Sequence, residues 1–413
     1  MPTRTPRPIR PLALLLTALH ALAPGHAADG GLDAHDGRAR TPAAHAITLD
    51  RGQLSGPGLD WIEQRAADSH FVLLGEQHGV EEVGAFAGGL YRALFDDGYT
   101  RVALEIGPFI GDRLSQEPVA QAIATYPFSI AFANDSELDF LESVGDRFEG
   151  EGPRIWGLDQ ELTAVHPLLY LMQRTQDPNA AGLLKRELAQ AVQLEGDYLD
   201  EDRGAAWDAL SEALGATPGD GAYEIIDALR TSNEIYATYH AQQRGEVSGD
   251  PSGRQREQYM QHRFDELLGV VSNQTGQTPR VLMKLGGLHV MKQPNPNGYD
   301  TLGMHVERVA ARADTDALHL GISGIDRADL DDRLGRTLAD EVRRAAPEPG
   351  TALVLLDFQA ARANDPELPE TMRTDLERFD ARVLVLDPSP GVRDRIDAAR
   401  ARVRAQAAQL LGG

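Results

Sequence analysis

Seven short apolar runs constrain the fold of this chain more than any other feature. They are FVLL (71–74), RVALEI (101–106), RIWGLD (154–159), RVLMKL (280–285), ALHLGI (317–322), TALVLLDF (351–358) and ARVLVLD (381–387). Each is apolar continuously rather than at alternate residues, the pattern of a strand buried on both faces of a largely parallel sheet. Helical spacing appears between them. Val83, Phe86, Leu90 and Leu94 recur on one stripe, and Asp97-Gly98 supplies a stop. Strand then helix, repeated, predicts an α/β fold: a mostly parallel central sheet with flanking helices.

That rhythm breaks between about 163 and 278, where the pattern is helical throughout and no strand signal appears. One helix is expected from Ala222 to Arg244, with Ile225, Ile226, Leu229 and Tyr236 on its apolar stripe and Gly245 beyond its end. Another is expected to open at Ser252, where Gln255 three residues later completes a capping-box pattern. Its buried face would hold Met260, Phe264, Leu267 and Val271. The block reads as a large helical insertion over one edge of a single domain spanning 47–413.

The first 27 residues read as a signal peptide: Arg4, Arg7 and Arg10, an apolar run from Pro11 to Ala23, then Gly25 and Ala27 at the cleavage-site spacing. A cut near Ala27 and a periplasmic or secreted location are therefore expected. Residues 28–46 are small and polar and read as a flexible lead-in. The chain has no cysteine, so an exported form relies on its core rather than on disulfides. A net charge of −23 disfavours nucleic acid and anionic membrane surfaces as partners. No membrane anchor is expected, and oligomeric state is not readable.

In open α/β sheets ligands bind beyond the carboxyl ends of the strands, so the residues after each apolar run matter most. FVLL runs into Gly75-Glu76-Gln77-His78, and RVAL into Glu105-Ile106-Gly107-Pro108. RIWGL runs into Asp159-Gln160-Glu161, and RVLMKL into Gly286-Gly287-Leu288-His289. If the strands are parallel, several carboxylates and two imidazoles reach one rim. Uncompensated there, they would cost stability unless they bound something. Taken singly, Glu76 or Asp159 reads equally well as the cap of a following helix. Asp357 and Asp387 end later strands and read as caps or turns. Arg256, near the start of its helix, is either a clamp for a substrate carbonyl or carboxylate or a solvated helix end.

These segments resemble the superfamily of erythromycin esterases, Tiki/TraB-type proteins and ChaN-like haem-binding proteins. Gly75-Glu76-Gln77-His78 and Gly286-Gly287-Leu288-His289 resemble its two Gly-x-x-His signatures, and Glu105 its strand-end glutamate. RIWGLDQE, Arg256-Glu257-x-Tyr259-Met260 and Thr301-Leu302-Gly303 are similar to further esterase segments, so the resemblance covers roughly 69–325. The esterases space the first pair one residue wider and carry a second histidine where Gly286 stands, which argues against macrolide ring-opening. The Tiki-type members imply a metal held by the two histidines and a glutamate, here His78, His289 and Glu105.

The leading expectation is an exported hydrolase of an ester or amide bond in a small molecule or peptide. His78 would act as general base oriented by Glu76 or Glu105, with His289 and Arg256 stabilising the oxyanion. Asp159, Lys284 and Tyr259 are candidate substrate contacts. In a metal-assisted version, His78, His289 and Glu105 would hold zinc or manganese with an open position for water. The alternative is a haem-binding protein without hydrolytic activity, with Tyr236, Tyr239, Tyr259 or His262 as axial ligand.

Overall fold

The computed structural model describes residues 42–130, 133–359, 361 and 368–412, all within one compact unit. The proposed signal peptide and the lead-in up to residue 41 lie outside the described residues. Nine strands form one sheet among the described residues: β1 (Ala43–Asp50), β2 (Gln53–Ser55), β3 (Ser69–Glu76), β4 (Arg101–Leu104), β5 (Ile155–Gly157), β6 (Val281–Gly286), β7 (Asp316–Ile325), β8 (Ala352–Asp357) and β9 (Ala381–Leu386). Their order is β2-β1-β8-β9-β7-β3-β6-β4-β5.

The α/β class holds, but the sheet is mixed rather than mostly parallel. The strands from β9 to β5 pair in parallel, whereas β8 runs antiparallel to both β9 and β1, and β1 to β2. The apolar runs could not show this, because they report burial on two faces and an antiparallel strand covered on both sides looks the same. β1 carries no such run. Only Ile47 of its eight residues is buried, so Ala43–Ala46 read as lead-in although they pair with Val354–Asp357.

Alternate strand residues feed two cores, one on each face. Val72, Leu74, Leu104 and Leu282 pack with the helices Pro57–Ala66, Glu81–Leu94 and Asp135–Arg147. Phe71, Leu73, Met283 and Leu285 pack on the other face with the helices Pro251–Thr275 and Leu302–Arg312. Between β5 and β6 the described chain forms helices and no strand, and Leu168, Leu188, Trp207 and Leu229 build a third core there. The helix Gly221–Gln243 lies where its stripe predicts. The helix Pro251–Thr275 buries Met260, Phe264, Leu267 and Val271, but its cap is Asp250, whose carboxylate accepts from Gly253 N. Pro251 explains the shift from Ser252, since proline suits the first helical position, where no N–H is needed. Among the described residues no helix is long and apolar enough to cross a membrane.

Candidate active site

Three neighbouring strands deliver the site at one level. Glu76 ends β3 directly opposite Gly286, the last residue of β6, and Glu105 follows Leu104, the last residue of β4. Beyond β6 a tight turn, closed by His289 N donating to the Gly286 carbonyl at 2.9 Å, turns His289 back toward the strand ends. Gly303 N donates to the His289 carbonyl at 2.8 Å. A Cβ on Gly303 would stand 2.6 Å from the Met291 carbonyl oxygen, so only glycine lets this helix start lie so close to the turn.

Glu105 is the hub. His78 Nε2 stands 3.7 Å from its Oε2 and His289 Nε2 stands 3.6 Å from its Oε1, separations that a shared water or substrate atom can bridge. Gly286 N donates to Oε2 at 2.6 Å and Arg256 Nη2 donates to Oε1 at 2.7 Å. Arg256 also grips Asp159 with two bonds, Nε to Oδ1 at 2.8 Å and Nη2 to Oδ2 at 2.6 Å. Such a bidentate pair fixes both groups in one plane.

Each imidazole has its own carboxylate. His78 Nδ1 lies 3.2 Å from Glu76 Oε1, which assigns the Nδ1–H tautomer and leaves Nε2 toward Glu105. Glu76 Oε2 is 2.7 Å from Lys284 Nζ, which also meets Glu137 Oε1 at 2.8 Å. His289 Nδ1 is hydrogen-bonded to Glu257 Oε1, and Glu257 Oε2 accepts from Leu302 N at 2.8 Å.

These contacts set the charges. Burial alone would lower the pKa of His289, but Glu257 and Glu105 outweigh it and push it up to about 10, so the ring is cationic at neutral pH. His78 is also raised, against its burial, by the hydrogen bond to Glu76 and the charge of Glu105. Burial opposes the ionised form of Glu105, yet His289 and Arg256 hold it well below the usual carboxylate range. Glu76 is lowered by Lys284 and His78 despite its burial. Glu137 is raised, first by burial and then by its neighbour Glu76. His78 has the most exposed side chain of the group at 33%, against 14% for His289 and 6% for Glu105, so solvent reaches the centre at His78.

The structure thus brings His78, Glu76, Glu105, His289, Arg256, Asp159 and Lys284 into one connected network. Several take other parts than expected. Arg256 gives its Nε and Nη2 to two buried carboxylates of its own chain, Asp159 and Glu105. Asp159 is its partner rather than the cap of the following helix, whose N-cap is Ala164. Lys284 projects from a buried strand, where Glu76 and Glu137 compensate its charge, so it is part of the network. Tyr259 lies one helical turn beyond Arg256, half-buried, with Arg263, Glu161 and Asp159 nearby. Asp357 and Asp387 are turn residues: Asp357 accepts from Gln359 N and Asp387 from Arg327 N.

The residues do not fit the expected metal ion. Both oxygens of Glu105 are taken by Arg256 and Gly286, and the guanidinium puts a cation where a metal would need the carboxylate's charge. Among the described residues no group of three or more histidines and carboxylates is spaced to hold a metal. The haem-ligand candidates fare similarly. His262 lies on the surface beside Glu266, Tyr239 packs edge-on against His240, and burial raises the pKa of Tyr236 and Tyr259, opposing the phenolate an iron ligand requires.

Glu257 and Glu137 were not singled out from the sequence as site residues. Glu257 stands in the quoted Arg256-Glu257 pair, so a signal existed. Glu137 sits in the first turn of a helix with no strand-end context, and nothing in the sequence points to it.

No protein-family model matches the chain, and neither does any curated protein. Solved structures do share its fold. An erythromycin esterase, EreC, in the open conformation of a mutant superposes with a TM-score of 0.56 at 15% identity, covering 86% of this chain and 99% of that one. A Bacillus cereus protein superposes with a TM-score of 0.52 at 14% identity, covering 84% and 96%. A succinoglycan biosynthesis protein superposes with a TM-score of 0.51 at 12% identity, covering 84% and 95%. The chain thus shares its α/β fold with these three solved structures.

Proposed function

We propose that this protein hydrolyses an ester or amide bond without a metal, at the centre formed by His78, Glu105 and His289. The carrying observation is the unequal state of the two imidazoles around one carboxylate. His289 is buried and cationic, whereas His78 is the solvent-reachable ring with its Nδ1–H held by Glu76. In the neutral form of His78, Nε2 accepts a proton from a water molecule as that water attacks the substrate carbonyl. The Nε2–H of His289, kept charged by Glu257 and Glu105, donates to the oxygen that gains negative charge. Arg256, shared between Glu105 and Asp159, offsets part of their charge, so Glu105 does not repel the developing oxyanion at full strength. We further propose that the protein acts outside the cytoplasm, on the strength of its leader sequence.

The test is a screen of uncharged esters and amides with purified protein, with His78→Ala and His289→Asn as controls, before and after dialysis against a chelator. Hydrolysis that survives dialysis and is lost in both variants supports the proposal. Activity lost with the chelator and restored by zinc or manganese would reverse the metal-free reading. A Soret band on haem titration, abolished by Tyr259→Phe, would favour the carrier.

A further inference from the structure

We infer that Leu288 determines specificity at this site by packing against an apolar group beside the scissile bond; the inference rests on the hydrolytic reading above. In the turn Gly286-Gly287-Leu288-His289, the bond from His289 N to the Gly286 carbonyl makes Leu288 the third residue, at the apex. Turn apices favour Gly, Asn, Asp and Ser, whose side chains bond locally or tolerate the backbone. A leucine contributes nothing to such a turn, and its side chain makes no core: Leu288 is 53% exposed. A lone exposed leucine on an ordinary surface would mean little. Here it adjoins the cationic His289 on the one turn that carries it.

The His78 loop also has an exposed apolar residue on the segment bonded to it. The His78 loop leaves β3, and the strand order puts β6, with Leu288, on one side of β3 and β9, beyond β7, on the other. The segment after β9 returns to that loop: Gly391 N donates to the Gly79 carbonyl at 2.9 Å, and Glu81 N to the Ser389 carbonyl at 3.0 Å. It presents Val392, 47% exposed, held by its N–H to Glu81 Oε2 at 2.8 Å. The floor of the site is thus ionic, while the turn that carries His289 and the segment bonded to the His78 loop each present an exposed apolar side chain. A charged floor orients a carbonyl and an apolar lip selects its substituent, so the structure suits an ester with an uncharged alkyl or aryl group.

The experiment compares 4-nitrophenyl esters of increasing acyl length and, in parallel, the binding of n-alkyl methyl ketones, which need no turnover. Each added methylene that reaches the lip should raise kcat/KM, or tighten the ketone Kd, by about threefold to fourfold. Leu288→Ser should flatten that dependence, and Leu288→Met should retain it. A wild-type series without chain-length dependence, or one equally steep in Leu288→Ser, overturns the inference. Ketone binding that steepens with length and flattens in Leu288→Ser, without ester hydrolysis, upholds the inference and removes the hydrolase reading instead.

Discussion

The backbone N–H of Gly286 donates to Glu105 Oε2 at 2.6 Å, and the missing side chain of that glycine is what makes room for the carboxylate. A methyl group on Gly286 would lie 3.1 Å from Glu105 Oε2, 3.2 Å from His78 Nε2 and 3.6 Å from His289 Cδ2. Three functional groups converge on the space one Cβ would fill.

Gly286→Ala should therefore leave the fold intact and impair the chemistry. Its neighbours must give by a few tenths of an ångström, and since a misplacement of about 1 Å costs about a hundredfold, kcat should fall by about tenfold. The check is kcat together with a urea melt. Wild-type kcat in a folded Gly286→Ala would show that these groups do not act together.

Arg256 and Asp159 form a buried pair, and breaking such a pair from one side leaves a charge uncompensated. Asp159→Asn is expected to cost about 3 kcal/mol of unfolding free energy. Arg256→Met should cost a similar amount, by leaving Asp159 beside Glu105. The double variant should be less destabilised than the sum of the two, because the residues share one interaction. Strict additivity in denaturant titrations would contradict the geometry.

Lys284 has the same logic on the opposite side of Glu76. Lys284→Met would leave Glu76 and Glu137 as adjacent carboxylates in an apolar face, at a cost of about 3 kcal/mol. Glu137→Gln keeps the hydrogen-bonding shape and leaves Lys284 paired with Glu76, so it should cost less than half as much. An equal loss for both variants would mean that Lys284 does not depend on Glu76 for its charge.

The pH dependence follows from two raised imidazoles. His289 rises from its ordinary value near 6.5 to about 10, so its contribution to stability is complete below pH 6.5 and is lost as pH rises toward 10. His289→Asn should remove that alkaline fall. Activity needs His78 neutral and His289 charged. Since His78 also lies above its ordinary value, the profile should rise above pH 6.5 and fall near pH 10. A pH–rate profile with its maximum below pH 6 would rule out this assignment of base and oxyanion donor.

Much of the site was legible in the sequence because a strand end is a rigid address. Once FVLL, RVAL, RIWGL and RVLMKL are read as neighbouring strands, Glu76-His78, Glu105, Asp159 and His289 have to arrive at one rim. Glu137 was not legible, because a glutamate in a first helical turn looks the same whether it faces water or a buried lysine. The direction of β8 was hidden for a similar reason, since two-sided burial erases the difference between parallel and antiparallel pairing. The strand β1 was hidden because a half-exposed strand of alanines carries almost no apolar pattern.

The sequence by itself determined where the buried strands form and which ionisable groups end them, since both depend on side chains close together in the chain. Tertiary structure alone decided what those groups are. Arg256 turns inward because Asp159 and Glu105, 97 and 151 residues away, offer it carboxylates. His289 is a cation because Glu257, from the helix Pro251–Thr275, meets its Nδ1. Protonation states and pairings depend on burial and on partners brought from far along the chain, and no local pattern records either.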